Sequence, residues 1–373
     1  MKYFLIAGEA SGDLHGSNIM RDLKIFDPAA EFFYTGGNLM QAEGGTMIRH
    51  YDHMAYMGVM EVLANLNKIS RNFKLIKKAI LDSKPDLLIL IDYPGFNLRM
   101  AKWAKKNGIR AFMYVSPTVW AWKENRVKTI KECIEKMFVI LPFEVDFYKE
   151  RHGYDVYFTG NPIVDVVESF KESTNTSHFR NNNNLGAKPI VALLSGSRKQ
   201  EIQFCLPAMM SLVDKFPGYQ FVIAGAPSLA KEVYLPYLEQ QRNIKIVYGK
   251  TYELLSNAHA AVVTSGTATL ETALFNVPEA VVYKMNSIVF HIGKFFIMPR
   301  FFSLVNLIMG RTVVQELLQT KLEEKAAAEL DRILHDKHYR EQMLRDYKEL
   351  RGKMNRGAYY KTAELMYTFL TSE

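Results

Sequence analysis

The stretch Asp86-Leu-Leu-Ile-Leu-Ile-Asp92-Tyr-Pro-Gly-Phe-Asn97 decides how the chain is read. Leu87 to Ile91 is an unbroken apolar run, the pattern of a strand buried on both faces of a parallel sheet. Asp92 ends the run, Pro94-Gly95 turns the chain, and Asn97 reads as the N-cap of a helix starting at Leu98. Ligands of open α/β sheets bind beyond the carboxyl ends of the strands, where a carboxylate can act as a general base. Asp92 holds that position. The same carboxylate can instead accept hydrogen bonds within its own turn, and the stretch alone leaves both readings open.

Similar units lie on either side. Tyr3 to Ala7 reads as a first strand, followed by the loop Gly8-Glu-Ala-Ser-Gly-Asp-Leu-His-Gly16 and a helix. The loop lacks the G-x-G-x-x-G spacing of a dinucleotide site. Glu31 to Thr35, Arg110 to Val115 and Lys136 to Leu141 continue the β-α alternation, which implies a doubly wound parallel sheet. Ser173 to His178 and Asn181 to Asn184 are polar and low in complexity, as a linker would be. A second series follows, with strands at Ile190 to Leu194, Gln220 to Ala224, Ile244 to Tyr248, Ala260 to Val263 and Ala280 to Tyr283. The expected division is 1–164, a linker 165–187, a second domain 188–340, and helices 341–373 that pack back on the first domain or on a partner subunit.

The 373 residues suffice for two cores, and 48% hydrophobic with 23% charged residues is ordinary for a soluble globular protein. A formal charge of +8 points to an anionic partner. Cys133 and Cys205 show no metal spacing and exclude a disulfide framework. No apolar run reaches the length of a signal peptide or a transmembrane helix, so a cytoplasmic location is expected.

Two loops of the second half suit a pyrophosphate. Ser195-Gly-Ser197-Arg198 offers N–H groups, hydroxyls and a guanidinium, and Thr264-Ser-Gly266-Thr267 offers the same without the cation. Two ordinary Ser/Thr caps would look alike. Glu271 lies four residues after Thr267, one too many for a capping box, so it is free to hold ribose hydroxyls or to sit exposed in the first turn. No Asp-x-Asp pair exists to bridge a metal to a sugar diphosphate. Two Rossmann-like halves with a metal-free pyrophosphate site point to a two-domain B-type glycosyltransferase without a cofactor. Such a fold has its halves facing across a cleft, and helix dipoles and Arg stabilise the leaving nucleotide.

One segment differs in character. Between Met57 and Lys78, Val62, Leu63, Leu66, Ile69 and Phe73 recur at helical spacing beside Lys68, Arg71, Lys74, Lys77 and Lys78. That face can rest on an anionic bilayer or admit acyl chains, and equally can cover the sheet. Lys284 to Arg311 is a second candidate membrane-facing surface.

The ordered set Gly8-Glu-Ala-Ser-Gly-Asp13, Met40 to Gly44, Met57-Gly58 with Glu61 to Leu63, Ile91 to Asn97 and Ser116-Pro-Thr-Val-Trp-Ala-Trp122 resembles the lipid-A-disaccharide synthases. Leu141 to Glu144, Gly196 to Arg198, Ser265 to Thr267 with Leu270-Glu271, and Asn306 to Ile308 with Glu316 to Leu318 extend the resemblance to about Gln319. It implies transfer of a diacylated glucosamine from UDP-diacylglucosamine to diacylglucosamine 1-phosphate (lipid X), giving an inverted β(1→6) link. It further implies Asp92 as the catalytic carboxylate, Ser11 with Gly12 and Asp13 in an active-site loop, and Arg198, Glu271 and Asn306 around UDP. The expected setting is the cytoplasmic face of an anionic inner membrane, bound peripherally, with no nucleic acid and a possible homodimer. Ser195 and Val305 stand where the family often has Pro. A UDP-sugar epimerase of the same fold, a dehydrogenase and a non-enzymatic basic protein are the rival readings.

Overall fold

The computed structural model describes residues 1–54, 66–240, 243–285 and 301–372. They form two compact units, Met1–Pro162 with Asn355–Glu373, and Ile163–Met354. In the first, β1 (Lys2–Ile6), β2 (Glu31–Gly36), β3 (Thr46–His50), β4 (Leu87–Ile91), β5 (Ala111–Tyr114), β6 (Lys136–Val139) and β7 (Tyr157–Phe158) make a parallel sheet. Its order is β3-β2-β1-β4-β5-β6-β7.

The central strands show why an unbroken apolar run is needed. Phe4, Ile6, Leu88 and Leu90 enter one core layer, while Tyr3, Leu5, Leu87, Ile89 and Ile91 enter the layer on the opposite face. Every side chain of β4 is fully buried. Burial of a Leu or Ile contributes about 1.5–3 kcal/mol, so a polar residue inside this run would disrupt one layer or the other. The helix Ala358–Thr371 belongs to this unit, placing Tyr359, Ala363 and Met366 in the second layer. His15 Nδ1 lies 2.9 Å from Tyr359 Oη, and burial lowers the pKa of His15 to about 4.

The second unit repeats the plan. β8 (Ile190–Leu194), β9 (Gln220–Gly225), β10 (Ile244–Tyr248), β11 (Ala258–Thr264), β12 (Glu279–Tyr283) and β13 (Glu316–Leu318) are parallel. Their order is β10-β9-β8-β11-β12-β13. The polar stretch read as a linker carries the helices Pro162–Ser173 and Phe179–Asn182. Phe170 packs edge-on against Tyr252 and Phe275 of the same unit. Of the C-terminal helices, Lys337–Lys353 lies in this unit, where Arg311 pairs with Asp346 and Glu349.

Each sheet reverses its strand order once, between β1 and β4 and between β8 and β11. The loops leaving those four strands diverge to opposite faces and open a crevice, the usual ligand position of this architecture.

Candidate active site

At the first crevice the loops after β1 and β4 meet. Asp92 and Tyr93 both have left-handed backbones, with φ of +44° and +47°. The helix Pro94–Lys106 therefore starts three residues before Asn97, with Pro in its first turn. Asn97 is not its cap, contrary to the sequence reading. The Asn97 Nδ2 group donates to the carbonyls of Ile6 (3.3 Å), Ile91 (3.1 Å) and Asp92 (2.8 Å), tying the ends of β1 and β4 together. Asp92 N–H donates to Tyr114 O at 3.0 Å, which fixes it against β5. The Tyr93 ring lies directly over Gly8, where any Cβ would collide with it. That contact explains a glycine at the end of β1.

Burial raises the carboxyl of Asp92 to about 6, and the nearby charge of Glu9 adds to the rise. A hydrogen bond from Tyr93 N–H opposes it. A carboxylate with this pKa is ionised at neutral pH yet basic enough to accept a proton.

The loop after β1 divides into two roles. Ser11 is exposed in the first turn of the helix Ala10–Phe26, and Gly12 packs against Ala7. Asp13 is buried and fully used. It accepts from the N–H groups of Gly37 (2.7 Å), Leu39 (3.0 Å) and Met40 (3.1 Å), so it clamps the loop after β2 rather than facing a ligand. Asp13 thus belongs to the loop that the sequence marks, with its carboxylate turned to the backbone of the neighbouring loop.

At the second crevice the loops after β8 and β11 line a cavity of about 480 Å³ with Ser195, Gly196, Ser197, Arg198, Gly266, Thr267 and Glu271. These residues, expected to surround a pyrophosphate, thus line one cavity. Glu201 accepts from the N–H groups of Ser197 (2.9 Å) and Arg198 (3.2 Å), so those two donors are already satisfied. Gly196, at φ +102°, leaves room for that carboxylate. The Arg198 side chain is 80% exposed, its Nη1 3.9 Å from Glu201. Across the cavity, the helix Thr267–Leu274 begins after Gly266; Thr269 N–H donates to Gly266 O at 3.2 Å, and the N–H groups of Thr267 and Ala268 precede the first intrahelical acceptor. Glu271 points inward and accepts from Tyr252 Oη at 2.6 Å, with its pKa raised by burial and lowered in part by that bond.

Asn306 does not reach this cavity. It is fully buried: Oδ1 accepts from Val313 N–H (2.7 Å) and Val314 N–H (3.0 Å), and Nδ2 donates to Val314 O and Glu316 Oε1. Glu316 in turn accepts from Phe302 N–H and Ser303 N–H, both at 2.9 Å, and Phe302 O accepts from Ser265 Oγ at 2.7 Å. Asn306 therefore shapes the loop after β11 from a distance. Tyr252, Glu201, Tyr283 and Phe302 were missed by the sequence reading, although all four line the cavity or bond a lining group.

The basic segment is partly described. Val62 and Leu63 lie outside the described residues, as do 286–300 of the second candidate surface. Leu66 opens the helix Leu66–Ser83. Ile69 is half-buried, and Phe73 stacks on buried Phe96 with ring centres 4.0 Å apart. Phe73 thus packs against the core, as the sheet-covering alternative has it, and does not face a membrane. The opposite side presents Lys68, Arg71, Lys74, Leu75, Lys78 and Leu81 to solvent. No described helix is long and apolar enough to cross a membrane, and no described cluster of His, Cys, Asp or Glu is placed to hold a metal ion.

The fold resembles solved sugar epimerases and glycosyltransferases. The UDP-GlcNAc 2-epimerase of Neisseria meningitidis, solved with UDP-GlcNAc, superposes with a TM-score of 0.63 at 13% identity, covering 100% of both chains. The calicheamicin glycosyltransferase gives 0.60 at 15% identity, covering 100% of this chain and 99% of that one. At those identities the likeness establishes a GT-B-like fold alone. Sequence comparison goes further. The lipid-A-disaccharide synthases of Trichlorobacter lovleyi and Myxococcus xanthus are each 38% identical to this chain. The first match covers 91% of this chain and 89% of that protein; the second covers 97% and 96%. The family model for lipid-A-disaccharide synthetase matches residues 3–367. With a match of that extent over a two-sheet GT-B-like fold, the chain belongs to the lipid-A-disaccharide synthase family of glycosyltransferases.

Proposed function

We propose that this chain moves a 2,3-diacylglucosaminyl group from its UDP ester to the 6-hydroxyl of 2,3-diacylglucosamine 1-phosphate, inverting the anomeric carbon. Asp92 carries the reading. It takes the proton of the primary hydroxyl as that oxygen attacks, because a primary alcohol is a poor nucleophile until its proton is removed. The glycosidic C–O bond to UDP breaks as the new β(1→6) bond forms. The guanidinium of Arg198 and the amino end of the helix Thr267–Leu274 offset the charge appearing on the diphosphate. Glu271, held by Tyr252, is placed to accept from ribose hydroxyls.

Both substrates carry acyl chains and negative charge, which fits the +8 chain and the outward cations of the helix Leu66–Ser83. We infer that this helix rests peripherally on an anionic membrane. Leu75→Ser with Lys74→Gln should reduce retention on anionic vesicles by several-fold and leave UDP affinity unchanged, in a flotation assay paired with titration calorimetry. Equal retention would remove this face from the membrane contact.

The reading itself is tested by incubating the protein with UDP-diacylglucosamine and the acceptor phosphate, then resolving products by mass. Disaccharide 1-phosphate and UDP in equal amounts are expected. Release of UDP without acceptor, or an epimerised donor, would assign the fold to the other activity its structural neighbours carry.

A further inference from the structure

The chemistry above leaves one built feature at the carboxyl edge of the first sheet unused, the loop 115–125. Tyr114 pairs in register with Ile91, so Val115 leaves the sheet one strand spacing from Asp92. Val115 has φ +69°, a conformation that β-branched residues avoid, and Lys123 near the far end has φ +55°. Such backbones persist only where surrounding contacts over-determine them, which is common at ligand clamps.

Those contacts are present. Ser116 Oγ lies 2.8 Å from Tyr148 Oη. Glu144 is 2% exposed and accepts from Leu141 N–H at 3.1 Å. Burial raises its carboxyl to about 8, with the bond from Leu141 N–H opposing the rise. The Trp120 ring meets Phe143 edge-on at 5.1 Å, and Glu124 pairs with His152 at 3.0 Å. The base of the loop is thus bolted to the helix Phe143–His152. Its tip presents Trp122, 45% exposed, with Lys123 Nζ 4.0 Å from the ring centre.

Lys123 Nζ lies over one face of the indole, which leaves the other face to the C–H side of a hexose ring, and the ammonium can meet a phosphate reaching past the ring edge. We propose that Trp122 and Lys123 form the acceptor subsite, the indole stacking on the acceptor sugar and the ammonium pairing with its 1-phosphate. This rests on the proposed function, which supplies the acceptor. A Trp–Lys pair can also anchor a protein at a bilayer surface. A bilayer anchor, however, needs neither a strained frame nor a place one strand from the catalytic base.

The test uses the full chain in non-ionic detergent without anionic lipid, with two acceptors that differ only in the 1-phosphate. For the wild type, losing the phosphate should raise the acceptor KM about tenfold, the usual worth of a hydrogen bond to a charged group. In Lys123→Gln that difference should disappear, and Trp122→Ala should raise KM for both acceptors. UDP affinity should stay unchanged in each variant. Lys123→Gln alters only an exposed side chain, so it keeps the test valid should Trp122→Ala fold poorly. An equal penalty on both acceptors in Lys123→Gln would overturn the subsite. So would loss of vesicle binding with the phosphate preference intact, which would make the pair a membrane anchor. If the wild type joins neither acceptor, the proposed function falls first and the subsite with it.

Discussion

Asp92→Asn is expected to lower turnover by roughly 10²–10⁴-fold, the usual contribution of acid–base catalysis, while leaving UDP affinity intact. Asn matches Asp in shape, tolerates the left-handed backbone at φ +44°, and can still accept from Tyr93 N–H. What it cannot do is take a proton. The stability change has the opposite sign. The folded pKa of Asp92, about 6, lies above the ordinary aspartate value of 3.8. Its neutral form is therefore favoured by folding below pH 3.8, and that contribution is lost as pH rises through about 6. At pH 7 to 8 the wild type holds a buried, ionised carboxylate close to Glu9. The Asn variant does not, so its melting temperature should exceed that of the wild type there, with the gap closing toward pH 4. The kcat/KM of the wild type should fall below about pH 6. Thermal melts and initial rates on one preparation across pH 4 to 9 check all three points. A variant that melts lower at every pH while keeping its activity would make Asp92 a turn residue and nothing more.

The same residues show what a sequence discloses and what it withholds. β4 and β8 were legible because strands buried on both faces must be continuously apolar. β3, with Thr46, Arg49 and His50 along a half-exposed edge, and the two-residue β7 carry no such pattern. The loops after β8 and β11 were legible because small and hydroxyl residues at strand ends are locally distinctive. The saturation of a polar side chain is not local. The partners of Asp13 lie 24 to 27 residues away, and those of Asn306 lie 7 to 10 residues on. A family motif therefore marked both residues as important without telling a ligand contact from a backbone clamp. Tyr252 left no sequence signal, since its link to Glu271 spans 19 residues. Glu201 did leave one. It lies three residues after Arg198, the spacing of a capping box, and its carboxylate takes the N–H groups that the loop would otherwise offer a phosphate.

That occupied loop makes Arg198 the group on which diphosphate binding should depend most. With Ser197 and Arg198 N–H already paired to Glu201, negative charge from a ligand must be met by the guanidinium and by the helix start at Thr267. The guanidinium is free to move, being 80% exposed and 3.9 Å from its nearest carboxylate oxygen. Arg198→Ala should weaken UDP binding about 10- to 100-fold, the range set by about 1.5–3 kcal/mol for a hydrogen bond to a charged group. Binding of uridine, which carries no phosphate, should not change. Arg198→Lys should recover part of the loss, since it restores the charge but not the two-pronged geometry. Titration calorimetry with UDP and uridine in the presence of EDTA reads these effects directly. Raised salt should narrow the difference between wild type and Ala variant, because an exposed cation is screened. The melting temperature should hardly move, as the side chain supports no packing. An equal loss for UDP and uridine would place Arg198 at the nucleoside instead, and unchanged UDP affinity would remove it from the site and leave the helix Thr267–Leu274 as the main anion-binding element.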